Sequence, residues 1–210
     1  MFESLLNPVH FFAFQIDCHP TNAGKLEKKH LLPDLSSFHG SLPFAEVAIG
    51  WHEKGIHLTV SVQGRFDQPT FPHIGSADSI ELFIDTRDVK TAGFPTRFCH
   101  HFYFLPDPVE DNGESIQAEE ITHFRTDDKH ELCDASLLQV SSEKEKKRRR
   151  VNIFIPSDCL HGYDPTQFDR LGFTYRINRI DGSEQNFSAN ETDFSIESQP
   201  SLWASLKLVK

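Results

Sequence analysis

Residues 75–88, GSADSIELFIDTRD, followed after a short gap by residues 98–106, FCHHFYFLP, decide the fold. Side chains alternate across a strand, so Ile80, Leu82 and Ile84 share one face of the first run while Glu81, Phe83 and Asp85 share the other. The first face builds a core. The second carries a carboxylate row that a neighbouring strand can meet with His100 or His101. Within CHHF the two imidazoles point to opposite faces, one joining Tyr103 and the other Phe102 and Phe104, so this strand alone cannot bring both to one metal ion. One imidazole opposite Glu81 reads either as a ligand-binding pair or as a buried histidine satisfied by a carboxylate.

Outward from this pair, strand patterns bounded by Gly, Pro, Asp or Asn recur at 11–17, 46–52, 56–63, 115–123, 137–142, 150–155, 171–180 and 202–209. Ile56, Leu58, Val60 and Val62 alternate with His57, Thr59, Ser61 and Gln63, the pattern of a strand with one face in a core. Lys54-Gly55 predicts a tight turn that pairs the strands on either side of it. Sustained helical periodicity is almost absent. The expected fold is therefore all-β, a two-sheet antiparallel β-sandwich of jelly-roll type with few short helices. Its 210 residues, 19 of them Phe, suit one domain over 1–210 with a phenylalanine-rich core. Residues 18–43 read as a long surface connection, and 106–114, PDPVEDNGE, as an acidic loop with Asn112-Gly113 at its turn.

A net charge of -10 disfavours nucleic acid and acidic membranes as partners and favours solubility. The basic run of Lys144 and Lys146 to Arg150 departs from this balance, and without interleaved aromatics it reads as the solvated end of a hairpin. Residues 1–17 carry no Lys or Arg before their apolar part and show no cleavage site, and no run is long enough to span a bilayer, so a cytoplasmic protein is expected. Cys18, Cys99, Cys133 and Cys159 show no CxxC spacing and read as reduced thiols, and the triplets at 186–188 and 190–192 would accept glycans only in a secretory route.

Four segments in order, WHEKGIHLTVSV (51–62), GSADSIELFIDTRD (75–88), LGFTYRINRIDGSEQNFS (171–188) and PSLWASLKLVK (200–210), resemble the family 9 carbohydrate-binding modules and their relatives. The resemblance covers roughly residues 45 to 210. It implies an antiparallel sandwich, often with structural calcium, and a cleft where two rings, usually Trp, enclose a sugar whose hydroxyls meet charged and amide side chains. By position Glu81 matches the family's acidic binding residue, His100 or His101 lies near its Arg, Asn178 near its Asn, and Phe187 near a family aromatic. Trp51 and Trp203 do not fall at the stacking positions and read as packing residues; Phe71 or Phe94 could supply rings from loops. Calcium oxygens could come from Asp85, Asp88, Asp107, Asp111, Asp181 or Glu184, although no D-x-D-x-D-G loop is present.

On the residues themselves, Arg176 and Asn178 share one face of the run 171–180 and Phe173, Tyr175 and Ile177 the other. A row of Arg and Asn can bind hydroxyls or a carboxylate, or simply face water. No G-x-S-x-G, H-E-x-x-H, phosphate loop or dinucleotide fingerprint occurs. The expectation is a non-catalytic module that binds a sugar or similar small polar ligand through Glu81, His100 or His101, Arg176, Asn178 and Phe187. The alternative is a protein-interaction or structural sandwich that has lost sugar binding. A third reading is a metal-dependent enzyme using His100 or His101 with nearby acids.

Overall fold

The computed structural model describes residues 14–22, 24–35, 42–189 and 195–210. These form eleven strands: β1 (Gln15–Cys18), β2 (Ala45–His52), β3 (Gly55–Gln63), β4 (Ser79–Asp85), β5 (Cys99–Asp111), β6 (Glu114–Glu120), β7 (Gln139–Lys144), β8 (Arg148–Pro156), β9 (Arg170–Asn178), β10 (Glu184–Asn186) and β11 (Ala204–Leu208). Helix among the described residues is confined to 3-10 turns of three residues, and no helix is long and apolar enough to cross a membrane. The expected strand over 11–17 is seen from Gln15; residues 11–13 lie outside the described ones, as do 190–192.

The larger sheet runs β1-β11-β9-β4-β5-β6, with β10 added to β9, and the smaller runs β2-β3-β8-β7. All pairings are antiparallel except β1 with β11, which is parallel. The alternation on β3 does what its period requires: Ile56, Leu58, Val60 and Val62 are buried and meet Ile80, Leu82, Ile84, Phe102, Phe104 and Phe173 from the other sheet in one core. Each such side chain removed from water is worth about 1.5–3 kcal/mol, and this interlayer holds the sandwich together.

Three local expectations change. The turn between β2 and β3 is Glu53–Lys54, and Gly55 already pairs with His52 as the first residue of β3. Its φ of 142° and the closeness of the Ile155 carbonyl, 2.2 Å from where a Cβ would stand, exclude any side chain there. Residues 106–111 are strand rather than loop: β5 continues through a register shift after Phe104, and only Asn112 and Gly113, both at positive φ, make the turn into β6. The basic run does form a hairpin end between β7 and β8, but acids neutralise much of it, Lys144 with Asp67 at 2.9 Å, Arg150 with Glu145 at 3.0 Å and the buried Arg149 with Asp107.

The larger sheet is not one-sided. Every residue of β4 is buried, because the chain folds back over the outer face and a second apolar cluster of Phe83, Cys99, Ala189, Ile196 and Trp203 forms there. Both tryptophans pack: Trp51 donates to the Val209 carbonyl (3.1 Å) and Trp203 to the Ile196 carbonyl (2.8 Å). A buried indole thus keeps its N–H satisfied.

Candidate functional site

β4 lies between β5 and β9, and register sets Glu81 opposite Tyr103 on one side and Arg176 on the other. Alternation then brings Glu81, Phe83, His101, Tyr103, Arg176 and Asn178 to the outer face. The Arg176 guanidinium grips the Glu81 carboxylate with two N–H groups, Nε to Oε1 and Nη2 to Oε2, each 2.8 Å. Asn178 Nδ2 donates to Oε1 at 2.7 Å and to Ser79 Oγ at 3.0 Å, and His101 Nε2 meets Oε2 at 2.8 Å. Two donors thus serve each oxygen. Burial alone would push the Glu81 pKa up, but the hydrogen bonds from His101 and Arg176 and the guanidinium charge reverse this and hold it down at about 2. Arg176 is drawn the opposite way: burial opposes its charge, and Glu81 and Glu197 raise its pKa well above the usual value.

Around this pair the outer face divides. On the polar side Arg176 also donates to Glu197, and the buried amide oxygens of Asn178 and Asn186 have no hydrogen-bond partner. On the aromatic side Phe83 stacks on His101 (ring centroids 4.2 Å apart) and touches Trp203 (5.8 Å), while Phe71 lies 6.2 Å from Tyr103. Tyr103 donates to Glu119 at 3.1 Å. A small recess of about 130 Å³ opens beside His101, lined among others by Pro95, Thr122, His123, Glu197 and Trp203. Only the edge of His101 reaches it, its side chain being 11% exposed.

The structure brings together four of the six residues expected at the site, Glu81, His101, Arg176 and Asn178. His100 faces the other way, into the sandwich, stacked on Phe102 and bonded through Nδ1 to Glu120 at 2.8 Å. Phe187 is fully buried in the core against Tyr175 (5.4 Å) and Phe173 (6.0 Å), so it presents no ring to the outer face. The physical reason is β10: Asn186 pairs with Arg176 and points outward, so Gln185 and Phe187 point inward. Phe94 is exposed, and it does not line the recess.

Sequence reasoning missed Glu197, Glu120 and His130. Glu120 accepts from Thr122 Oγ1 (2.7 Å) and the Cys133 backbone N–H (2.8 Å), and both His100 and His130 reach its Oε1 at 2.8 Å. Burial works against its charge, yet the two histidines outweigh that and hold its pKa at about 2. Among the described residues this trio is the one group of three His, Cys, Asp or Glu side chains whose donor atoms all lie within 4.8 Å of one another. The six acids considered for calcium lie outside it. Asp85 instead accepts the backbone N–H groups of Arg87 (2.9 Å) and Val89 (2.7 Å). The four cysteines are free thiols.

No protein-family model and no curated protein matches the chain. Solved structures do. A family 9 carbohydrate-binding module from Caldicellulosiruptor kristjanssonii in complex with cellotriose aligns with a TM-score of 0.60 at 14% identity, over 92% of this chain and 93% of that one. A family 9 module from the same organism in complex with glucose gives 0.61 at 13% identity, over 93% and 95%. A Bacteroides uniformis protein provisionally called carbohydrate-binding gives 0.58 at 8% identity, over 94% and 99%. At such identities the likeness is one of fold, and the chain has the family 9-like β-sandwich fold.

Proposed function

We propose that this chain is a non-catalytic carbohydrate-binding-like module whose ligand, a sugar or a similar small polar molecule, is held on the outer face of the larger sheet. The observation that carries this reading is the cross-strand set of Glu81, Arg176, Asn178 and His101, fixed at the centre of that face, in a fold shared with modules solved with cellotriose and glucose. Because Glu81 is closed in by its own neighbours, its part is to fix Arg176, Asn178 and His101 in place. The direct contacts then fall to the rim, His101, His123 and Glu197, and to the amide oxygens of Asn178 and Asn186, which can accept from hydroxyls once the covering chain shifts. Isothermal titration with mono- and disaccharides, preceded by a glycan array, tests the reading. Asn178→Ala is expected to weaken binding by about 1–3 kcal/mol. Silence across a broad panel overturns it.

A second reading, a protein-interaction or structural sandwich without a sugar site, is favoured by one observation. All four hydrogen bonds to Glu81 come from the chain itself, and no two exposed rings face each other beside it among the described residues. A cytoplasmic setting would suit this reading, since polysaccharides lie mostly outside cells. Pull-down with the intact chain and with an Arg176→Met variant separates the two, because a partner that binds elsewhere on the sandwich survives a change that abolishes a sugar site.

A further inference from the structure

We propose that His100, Glu120 and His130 bind a divalent transition-metal ion of zinc type that ties the segment after β6 to the larger sheet. The three donors come from separate places: His100 from the inner face of β5, Glu120 from the end of β6, and His130 from the irregular chain that follows. Their side chains are sealed from solvent, with His100 and Glu120 fully buried and His130 4% exposed. His100 Nδ1 and His130 Nε2 converge on one oxygen, Glu120 Oε1, each at 2.8 Å.

The partners of the two rings leave one nitrogen of each for a metal ion. His130 Nδ1 lies 2.7 Å from the Arg97 carbonyl oxygen, which can only accept, so Nδ1 carries a proton and Nε2, turned toward the carboxylate, is the nitrogen a metal ion would take. A backbone carbonyl behind the ring is also the outer contact by which metal-binding imidazoles are oriented. His100 turns Nδ1 to the same carboxylate oxygen, and its Nε2 is buried without a hydrogen-bond partner. Two imidazole nitrogens and a carboxylate oxygen, all within 4.8 Å of one another, make a donor set for a cation. The second carboxylate oxygen, Oε2, accepts from the Cys133 N–H, and Oε1, which also accepts from Thr122 Oγ1 at 2.7 Å, is the oxygen turned to both rings and the one that would serve as a single-oxygen ligand.

Two imidazoles and one carboxylate suit zinc or a neighbouring transition metal and leave a fourth position open. Calcium and magnesium require a shell of oxygens, which two imidazoles do not supply. A recess of about 330 Å³ lined by His130, Glu131, Cys133, Asp158, Cys159 and His161 reaches one member of the trio, His130, from outside, the side from which an ion would enter. The trio is turned away from the Glu81 cluster, since His100 and His101 lie on opposite sides of the sheet, while Thr122, which donates to Glu120, and His100 also border the small recess beside His101.

The test is titration of the chelator-treated chain with Co²⁺, followed by its visible ligand-field bands, and with Zn²⁺ by calorimetry. One equivalent is expected, with a rise in melting temperature on binding. His130→Gln is expected to weaken binding by more than the roughly 10- to 100-fold that loss of an outer partner costs, whereas His73→Gln, at an exposed histidine outside the trio, leaves it unchanged. X-ray absorption at the zinc edge of the unmodified chain gives an independent reading and is expected to show two imidazoles and an oxygen ligand. Absence of stoichiometric binding, wild-type affinity in His130→Gln, or a shell dominated by sulfur overturns the proposal.

Discussion

Glu81 and Glu120 belong to the same sheet, are both almost completely buried and are both touched by histidine, yet they are neutralised in different ways. Glu81 meets a guanidinium in a two-point grip, with an amide and one imidazole completing its shell. That charge is permanent and its donors are fixed, so the cluster is complete as it stands. Glu120 meets two imidazoles, a hydroxyl and a backbone N–H, none of which carries a permanent charge. The same buried anion has a permanent counter-charge on one face of the sheet and only neutral or titratable partners on the other. A carboxylate–histidine contact therefore does not by itself mark a functional site; what decides is whether the remaining partners already supply the compensating charge.

The most severe way to break this contrast is to remove the guanidinium. Arg176→Met leaves a buried carboxylate with only an amide and an imidazole, and the expected loss is about 3–5 kcal/mol in chemical denaturation, the cost of leaving a buried charge unpaired. In the variant Glu81 should titrate well above its present value, read by the pH dependence of the denaturation midpoint. A loss within 1 kcal/mol would mean that the grip contributes little and that Glu81 is held by its other neighbours.

The second effect is acid sensitivity. The Glu81 carboxyl titrates at about 2 in the folded chain against an ordinary value of 4.5, so it is depressed on folding. A depressed carboxyl contributes stability that is fully present above about pH 4.5 and is lost as pH falls toward 2. The difference corresponds to at most about 3 kcal/mol. Denaturation midpoints measured from pH 7 down to 3 should fall in the native chain, and Arg176→Met should flatten the part of that curve due to Glu81. Parallel curves would remove Arg176 as the cause of the depression.

How much of this was legible follows from which contacts are local. The E-L-F-I-D run declared both its faces, because alternation needs only neighbouring residues, and CHHF declared that its two imidazoles part company. Arg176 and Asn178 were likewise placed on one face by spacing. The structure adds that this face is the covered one, which depends on residues 195–203 folding back across the sheet. Phe187 was misjudged because β10 is only three residues long and leaves no periodic signal, so its inward direction could not be counted. Residues 106–111 looked like a loop because Pro106 and Pro108 argue against a strand, yet the register shift there accommodates them. The meeting of Glu120 with His130 was beyond reach, since it depends on the course of an irregular segment in which no pattern repeats.

The smallest expected effect falls on His101, which touches both the Glu81 cluster and the recess beside it. Its ring is packed on Phe83 and its Nε2 is one of four donors to Glu81, so His101→Gln keeps a donor of similar reach and removes the stack. The expected cost is about 0.5–1.5 kcal/mol, the net worth of one hydrogen bond with a modest packing change. His101 also borders the recess that His123 and Glu197 line, so a ligand held there responds to the substitution more than stability does. A double-mutant cycle of His101→Gln with Arg176→Met, read by denaturation and by sugar titration, separates these roles. Coupling in stability alone assigns His101 to the closed Glu81 cluster. Coupling that appears in binding places the ligand at the edge of that cluster, where the Arg176–Glu81 grip comes closest to open space.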